Sequence, residues 1–387
     1  MLDAGGKPEV LLGAGVQPAR PAGGVALRRE WVADEAQVWL PRPLPDALIL
    51  SDEEPAEFAG HLLAALRLDL PTVVSPVGGG PFDAIAYALG LAPLATDAAE
   101  TIVELASEGG PRPRSLIDNF SLANALRTGV AAGGGPEIIV HLAALAREAG
   151  LVGFDQMIRV LAPEIPEVTP EWLSEHGVPT LLSSLVDMLH DIPTVAGNLK
   201  ENLPPAPPPD EHARLVFVRA RASGAEAVCR VREGATEAAG ECRVFGSEEE
   251  AVSGVRGGAV GEGAMLVVGG CGPRGGPGLI RLDALDRSLR EAGLEVPVLT
   301  DGLAPEGGTG SWVSLFTPEA AAGGVLSLLR DGDTIRIDLT EGRIRAGIGA
   351  RELGRREPPE LPNRADTRYA ARYARNALPA LEGAGFD

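Results

Sequence analysis

The stretch VVGGCGPRGGPGL, residues 267–279, sets Cys271 and Arg274 among glycines and prolines at the end of an apolar run. Such a loop offers several chemistries. A phosphate cradle is built from backbone N–H groups, but the spacing and the lysine of a P-loop are missing. A nucleophilic thiol needs a nearby base and an electropositive setting, and Arg274 supplies only part of the second. Arg274 can grip a carboxylate with its guanidinium fork, although a solvated arginine on a surface turn is the plainer reading. Cys229, Cys242 and Cys271 are the three cysteines. They show no CxxC pair, which disfavours a zinc site or a disulfide framework and leaves them as small buried hydrophobes. His61, His176, His190 and His212 have no ligand spacing, and His141 sits on an apolar helical face as a packing residue.

These residues need elements to position them. PDALILS (45–51), FAGHLLAALRLDL (58–70) and PTVVSP (71–76) read as strand, helix and strand, a βαβ rhythm. Two helices follow, DNFSLANALRTGVAA and PEIIVHLAALAREAG, the second opened by Pro136 and closed by Gly150. ENLPPAPPPDEH (201–212) is too rich in proline to hold helix or interior strand, and reads as a linker. Beyond it, ARLVFVRARA, AVCRVRE, ECRVFGS, AMLVVGG and VPVLTDG are strands. SEEEAVSGV and TPEAAAGGVLSLL read as helices opened by Ser247 and Thr317, and DTIRIDLTEGRIRAGI as a hairpin about Glu341 and Gly342.

Composition narrows the partners. A net charge of −20 over 387 residues argues against nucleic acid and anionic membranes, which demand a basic face. No run of eighteen apolar residues and no signal-like start are present, so a cytoplasmic protein is expected. The only lysines are Lys7 and Lys200.

Several segments, taken in order, resemble the dihydroxy-acid dehydratase and phosphogluconate dehydratase family. They are GGGPEIIVHLAALAREAGL (133–151), GVPTLLSSLVDMLHDIPTVAGNLKENL (177–203), ECRVFGSEEEA, GCGPRGGPGL, TDGLAPEGGTG, TPEAAAGG, DGDTIRIDL and the closing RYAARYARNALPALEGAGFD. The resemblance implies an α/β fold: an N-terminal α/β domain (1–203), a Pro-rich linker (204–212) and a C-terminal swivelling β-rich (β/β/α) domain (213–387). It also implies homodimers that dehydrate dihydroxy or sugar acids to 2-keto acids, using an iron–sulfur cluster on three cysteines and a magnesium ion.

This sequence departs from that pattern where the chemistry lies. SDEEP (51–55) stands where the first cluster cysteine is expected, and the stretch after Gly78–Gly80 reads as a deletion. Cys271 replaces a magnesium-binding glutamate, and a thiol suits that hard ion poorly. Where the family has a catalytic serine, Glu306 precedes Gly307, Gly308 and Thr309, and a carboxylate can act as a base without metal. Glu137 replaces an asparagine at a helix start, where its charge complements the helix dipole.

The expected catalytic residues are therefore Glu306 and Cys271. Arg274, Gly275, Gly276, Gly307, Gly308, Thr309 and Glu137 are the expected contacts to substrate, with no metal and no cofactor. The reading is a degenerate partner or regulatory subunit, a homodimer or a heterodimer with an intact dehydratase paralogue. Two alternatives stand beside it: a metal-independent lyase or isomerase acting on a hydroxy or keto acid, and a protein that binds a small carboxylate.

Overall fold

A computed structural model of the chain describes residues 5–9, 23–41, 43–209, 213–220, 223–232, 234–305, 312–361 and 363–386. It divides into two compact units, residues 28–134 with 141–209, and residues 23–27 and 135–140 with 213–386. No helix among the described residues is long and apolar enough to cross a membrane.

The first unit is mostly helical around a small parallel sheet. Helix α1 (Val25–Trp39) leads to β1 (Leu48–Leu50), α2 (Pro55–Leu68) and β2 (Thr72–Val74). β1 and β2 pair in parallel, Leu48 opposite Thr72, so α2 is a crossover helix as the βαβ rhythm requires. Glu54 caps α2 by accepting from the Glu57 N–H, and Pro55 occupies its first turn. Helices α3 (Pro81–Ala88), α4 (Ala98–Glu108), α5 (Pro113–Leu116), α6 (Asn119–Ala131), α7 (Gly135–Glu148), α8 (Phe154–Leu161) and α9 (Pro170–Ser184) follow, then the two-residue strands β3 (Pro193–Thr194) and β4 (Gly197–Asn198). Asp118 starts α6 with a reciprocal capping box to Ser121, which is why the helix begins where Asp-Asn-Phe-Ser is written. Leu122, Ala125 and Leu126 of α6 are buried.

The second unit is a closed eight-stranded barrel. Its strands are β5 (Ala213–Ala220), β6 (Ala225–Arg232), β7 (Glu237–Phe245), β8 (Ala264–Val268), β9 (Val298–Thr300), β10 (Trp312–Thr317), β11 (Thr334–Asp338) and β12 (Arg343–Ala346). Around the barrel the order is β10-β6-β5-β12-β11-β7-β8-β9. Helices α10 (Glu248–Arg256) and α11 (Asp283–Ala292) link the parallel strands β7, β8 and β9, and α12 (Ala350–Leu353) and α13 (Arg368–Asn376) come after the barrel. Strand alternation divides the core. Met265 and Val267 of β8 join the cluster that includes Val218, Cys229, Cys242 and Ile337, whereas Leu266 and Val268 pack with Leu285 and Leu289 of α11.

One expectation differs from what is observed, and one helix carries no start signal in the sequence. TPEAAAGGVLSLL forms no α-helix but two 3-10 turns, Ala320–Ala322 and Val325–Leu328. Gly323 adopts φ +77, and a side chain on Gly324 would strike the Pro318 carbonyl, so this segment folds back on itself. Helix α11 went unread because Leu282 stands at its N-cap; Glu248 of α10 accepts from the Ala284 and Leu285 N–H groups instead.

Candidate functional site

Strands β7, β8, β9 and β10 run parallel side by side. Carboxyl ends of neighbouring parallel strands are where such sheets ordinarily present a ligand site. Here three loops leave those ends: Gly269–Leu279 after β8, Asp301–Leu303 after β9, and Pro318–Ala320 after β10. Residues 306–311, including Glu306, Gly307, Gly308 and Thr309, lie outside the described residues.

The glycine-rich loop is filled from within the chain. Asp301 accepts from the N–H groups of Gly270 (3.1 Å), Cys271 (2.8 Å) and Ala320 (2.8 Å). Glu319 accepts from the N–H groups of Arg274 (3.0 Å) and Gly275 (3.1 Å). A side chain on Gly272 would run into the Glu319 carboxylate, so the glycine there makes the approach possible. The Gly276 N–H goes to the Gly272 carbonyl. On its other side the loop is an acceptor: the carbonyls of Pro277, Leu279 and Gly278 take the N–H groups of Gly24, Val25 and Ala26, where α1 begins. The loop is thus an anion cradle, and the anions are the chain's own carboxylates.

Both carboxyls are buried. Burial pushes Asp301 up, against the backbone N–H groups that it accepts from, those of Ala320, Cys271 and Gly270 among them. Burial and then the Asp301 charge push Glu319 up to about 7, opposed by the Gly275 and Arg274 N–H groups. Neither residue stands out in the sequence, where Glu319 falls inside the segment TPEAAAGGVLSLL that reads as a helix. The available signal was that each falls within two residues of the end of a parallel strand.

Of the residues expected to contact substrate, the four that lie among the described residues are engaged within the chain. Arg274 is exposed, and its Nε donates to the Ala377 carbonyl at 3.1 Å. Gly275 and Gly276 have committed their N–H groups as described. Glu137 is buried and ion-paired to Arg281 at 3.2 Å. Cys271 is fully buried beside Leu282 and Leu285, and burial followed by the Asp301 charge raises its thiol. An enclosed, protonated thiol is a poor nucleophile, which argues against the catalytic role expected of it.

An iron–sulfur cluster needs thiolates that converge, and in this structure the three buried cysteines sit apart. Cys229 on β6 and Cys242 on β7 are four strands apart in either direction around the barrel, on opposite walls. Cys271 packs in the separate outer cluster. Burial pushes the Cys229 and Cys242 thiols up to about 12. Within SDEEP, Asp52 instead meets the His61 Nδ1 at 2.9 Å. Among the described residues no group of three or more His, Cys, Asp or Glu side chains is placed to hold a metal ion.

Sequence comparison decides the lineage. Residues 209–384 match the family described as dihydroxy-acid/6-phosphogluconate dehydratase C-terminal, and residues 89–202 match its N-terminal counterpart. The chain belongs to the dihydroxy-acid/6-phosphogluconate dehydratase family. It is 32% identical to dihydroxy-acid dehydratase 2 of Bordetella bronchiseptica, across 85% of this chain and 63% of that protein. Against the dihydroxy-acid dehydratases of Methylococcus capsulatus and Aeropyrum pernix it is 31% and 32% identical, covering 72% and 78% of this chain and 55% and 62% of theirs. The chain thus spans between 55% and 63% of the length of these three relatives. The glycine-rich loop lies inside the segment that matches the family's C-terminal model, and here it encloses Asp301 and Glu319.

Proposed function

We propose that this chain is a dehydratase-family body without the iron–sulfur and magnesium chemistry, serving as a partner or regulatory subunit. It would act in the cytoplasm, as a homodimer or paired with an intact dehydratase, its barrel serving as the family's swivelling domain. The observation that carries this reading is the filled loop. Donor groups that could meet a substrate carboxylate are held by Glu319 and Asp301 instead. Light scattering on the chain alone and mixed with an intact dihydroxy-acid dehydratase tests it. The expected result is a particle of at least two subunits in one of the two samples. A 40.0 kDa monomer at every concentration, unmoved by the dehydratase, overturns the proposal.

One observation favours a second reading: a carboxyl near pH 7 at the ends of the parallel strands is the kind of group acid–base chemistry uses. Under it the chain is a metal-independent lyase or isomerase on a hydroxy or keto acid, with Glu306 as base. Deuterium exchange beside the carbonyl of 2-keto acids, followed by NMR, measures this. A rate that Glu306→Gln leaves unchanged removes Glu306 from the role.

A further inference from the structure

The first unit carries a groove of about 380 Å³ between α6 and α8, lined by Phe120, Arg127, Met157, Val160, Leu161 and His190. Its walls are mainly apolar, with Phe120 and Val160 largely exposed. Its floor is held firmly: the fully buried Asn124 amide clamps the backbone of His190, donating to its carbonyl and accepting from its N–H, each at 2.8 Å. The His190 ring then stands edge-on to Phe120 at 4.8 Å.

Arg127 is the unusual member. Its Nε and Nη1 are buried and have no hydrogen-bond partner. Leaving a cationic donor desolvated and unpaired is costly, which is why buried guanidiniums are ordinarily met by acceptors. Burial pulls the Arg127 pKa down; the carboxylate whose field opposes this, Glu164, is exposed, and no ion pair joins the two among the described residues. The local field is positive as well. Burial, then Arg127 and Lys200, disfavour a proton on His190, opposed by Asp118, and Lys200 is one of only two lysines in a chain of net charge −20. An apolar groove lined by a cation whose Nε and Nη1 donate to nothing selects for one chemistry: an anionic head on an apolar body.

We infer that this groove binds a small organic monocarboxylate, its carboxylate on Arg127 and its apolar body against Phe120, Met157 and Val160. The groove is lined by residues of the first unit alone, whereas the glycine-rich loop belongs to the second, so the inference does not depend on the function proposed above.

The chain holds four methionines, and Met157 lines the groove while Met265 lies inside the barrel. The full chain carrying ¹³C-methyl methionine is titrated with benzoate and 3-methylbutanoate, and with benzyl alcohol and 3-methylbutanol as uncharged controls. The expected result is a saturable shift of the Met157 methyl with the carboxylates, a Met265 signal that stays in place, and alcohols weaker by about tenfold or more. Arg127→Gln should weaken the carboxylates to a similar degree. Val160→Glu, at an exposed position that tolerates a charge, should do the same by placing a competing carboxylate at the rim. Three outcomes overturn the proposal: alcohols that bind as well as carboxylates, affinity that survives both substitutions, or a Met157 signal that responds to protein concentration and not to the probes. The last would mean that a second copy of the chain covers the groove.

Discussion

At the scale of single residues, Glu319 makes the sharpest prediction. Its carboxyl is pushed from the ordinary 4.5 up to about 7, with 6% of the residue exposed. Between those two values the folded chain holds a proton that the unfolded chain has released. Stability therefore falls as pH rises through this window and levels off above it. The contribution is at most about 3 kcal/mol, and the upward shift of Asp301 acts in the same direction. Urea unfolding at pH 5 and pH 8 should show Glu319→Gln losing less stability across that interval than the parent. A parent and variant with parallel pH profiles would contradict the buried-carboxyl assignment. The thiols give a second test, because burial raises all three. Native protein should resist a thiol-specific reagent and react at three sites once unfolded in urea. Rapid labelling of one thiol in the native chain would show a cysteine in a different setting.

The element scale shows what the sequence could and could not reveal. Local signals were legible where they were local: the βαβ start, the Asp118 and Ser247 caps, and the Glu341–Gly342 hairpin all rest on residues a few positions apart. Features capped or filled from a distance were not. Helix α11 borrows its N-terminal acceptor from Glu248, 36 residues before Ala284, and the loop 269–279 takes its anions from Asp301 and Glu319, just past the ends of other strands. The same loop explains its own glycines. Gly278 combines φ +97 with a close approach to Leu27, whereas Gly258 has φ +74 and open space around it. Gly258→Ala should cost about 1–2 kcal/mol, the penalty of a left-handed conformation alone. Gly278→Ala adds overlap with packed backbone and should cost at least about 2–4 kcal/mol. Equal midpoints for the two variants in denaturant would mean that the loop is not seated against residues 24–27 as described.

For the whole molecule, the question is whether the three thiols of this chain could meet on one cluster while the fold stays intact. The barrel answers in geometric terms. Cys229 and Cys242 point into a closed, side-chain-filled interior from opposite walls, and Cys271 belongs to a different cluster. Bringing them together would require opening the barrel, at the cost of the hydrogen bonds that close it and the apolar core they surround. Anaerobic incubation of the native chain with iron and sulfide should therefore leave it without stoichiometric iron, without an absorption band near about 400 nm from sulfur-to-iron charge transfer, and with an unchanged melting temperature. The melting temperature matters because a cluster bound only by the folded state must raise it. Iron and sulfide in fixed proportion to the chain, together with such a rise, would show that the thiols converge after all.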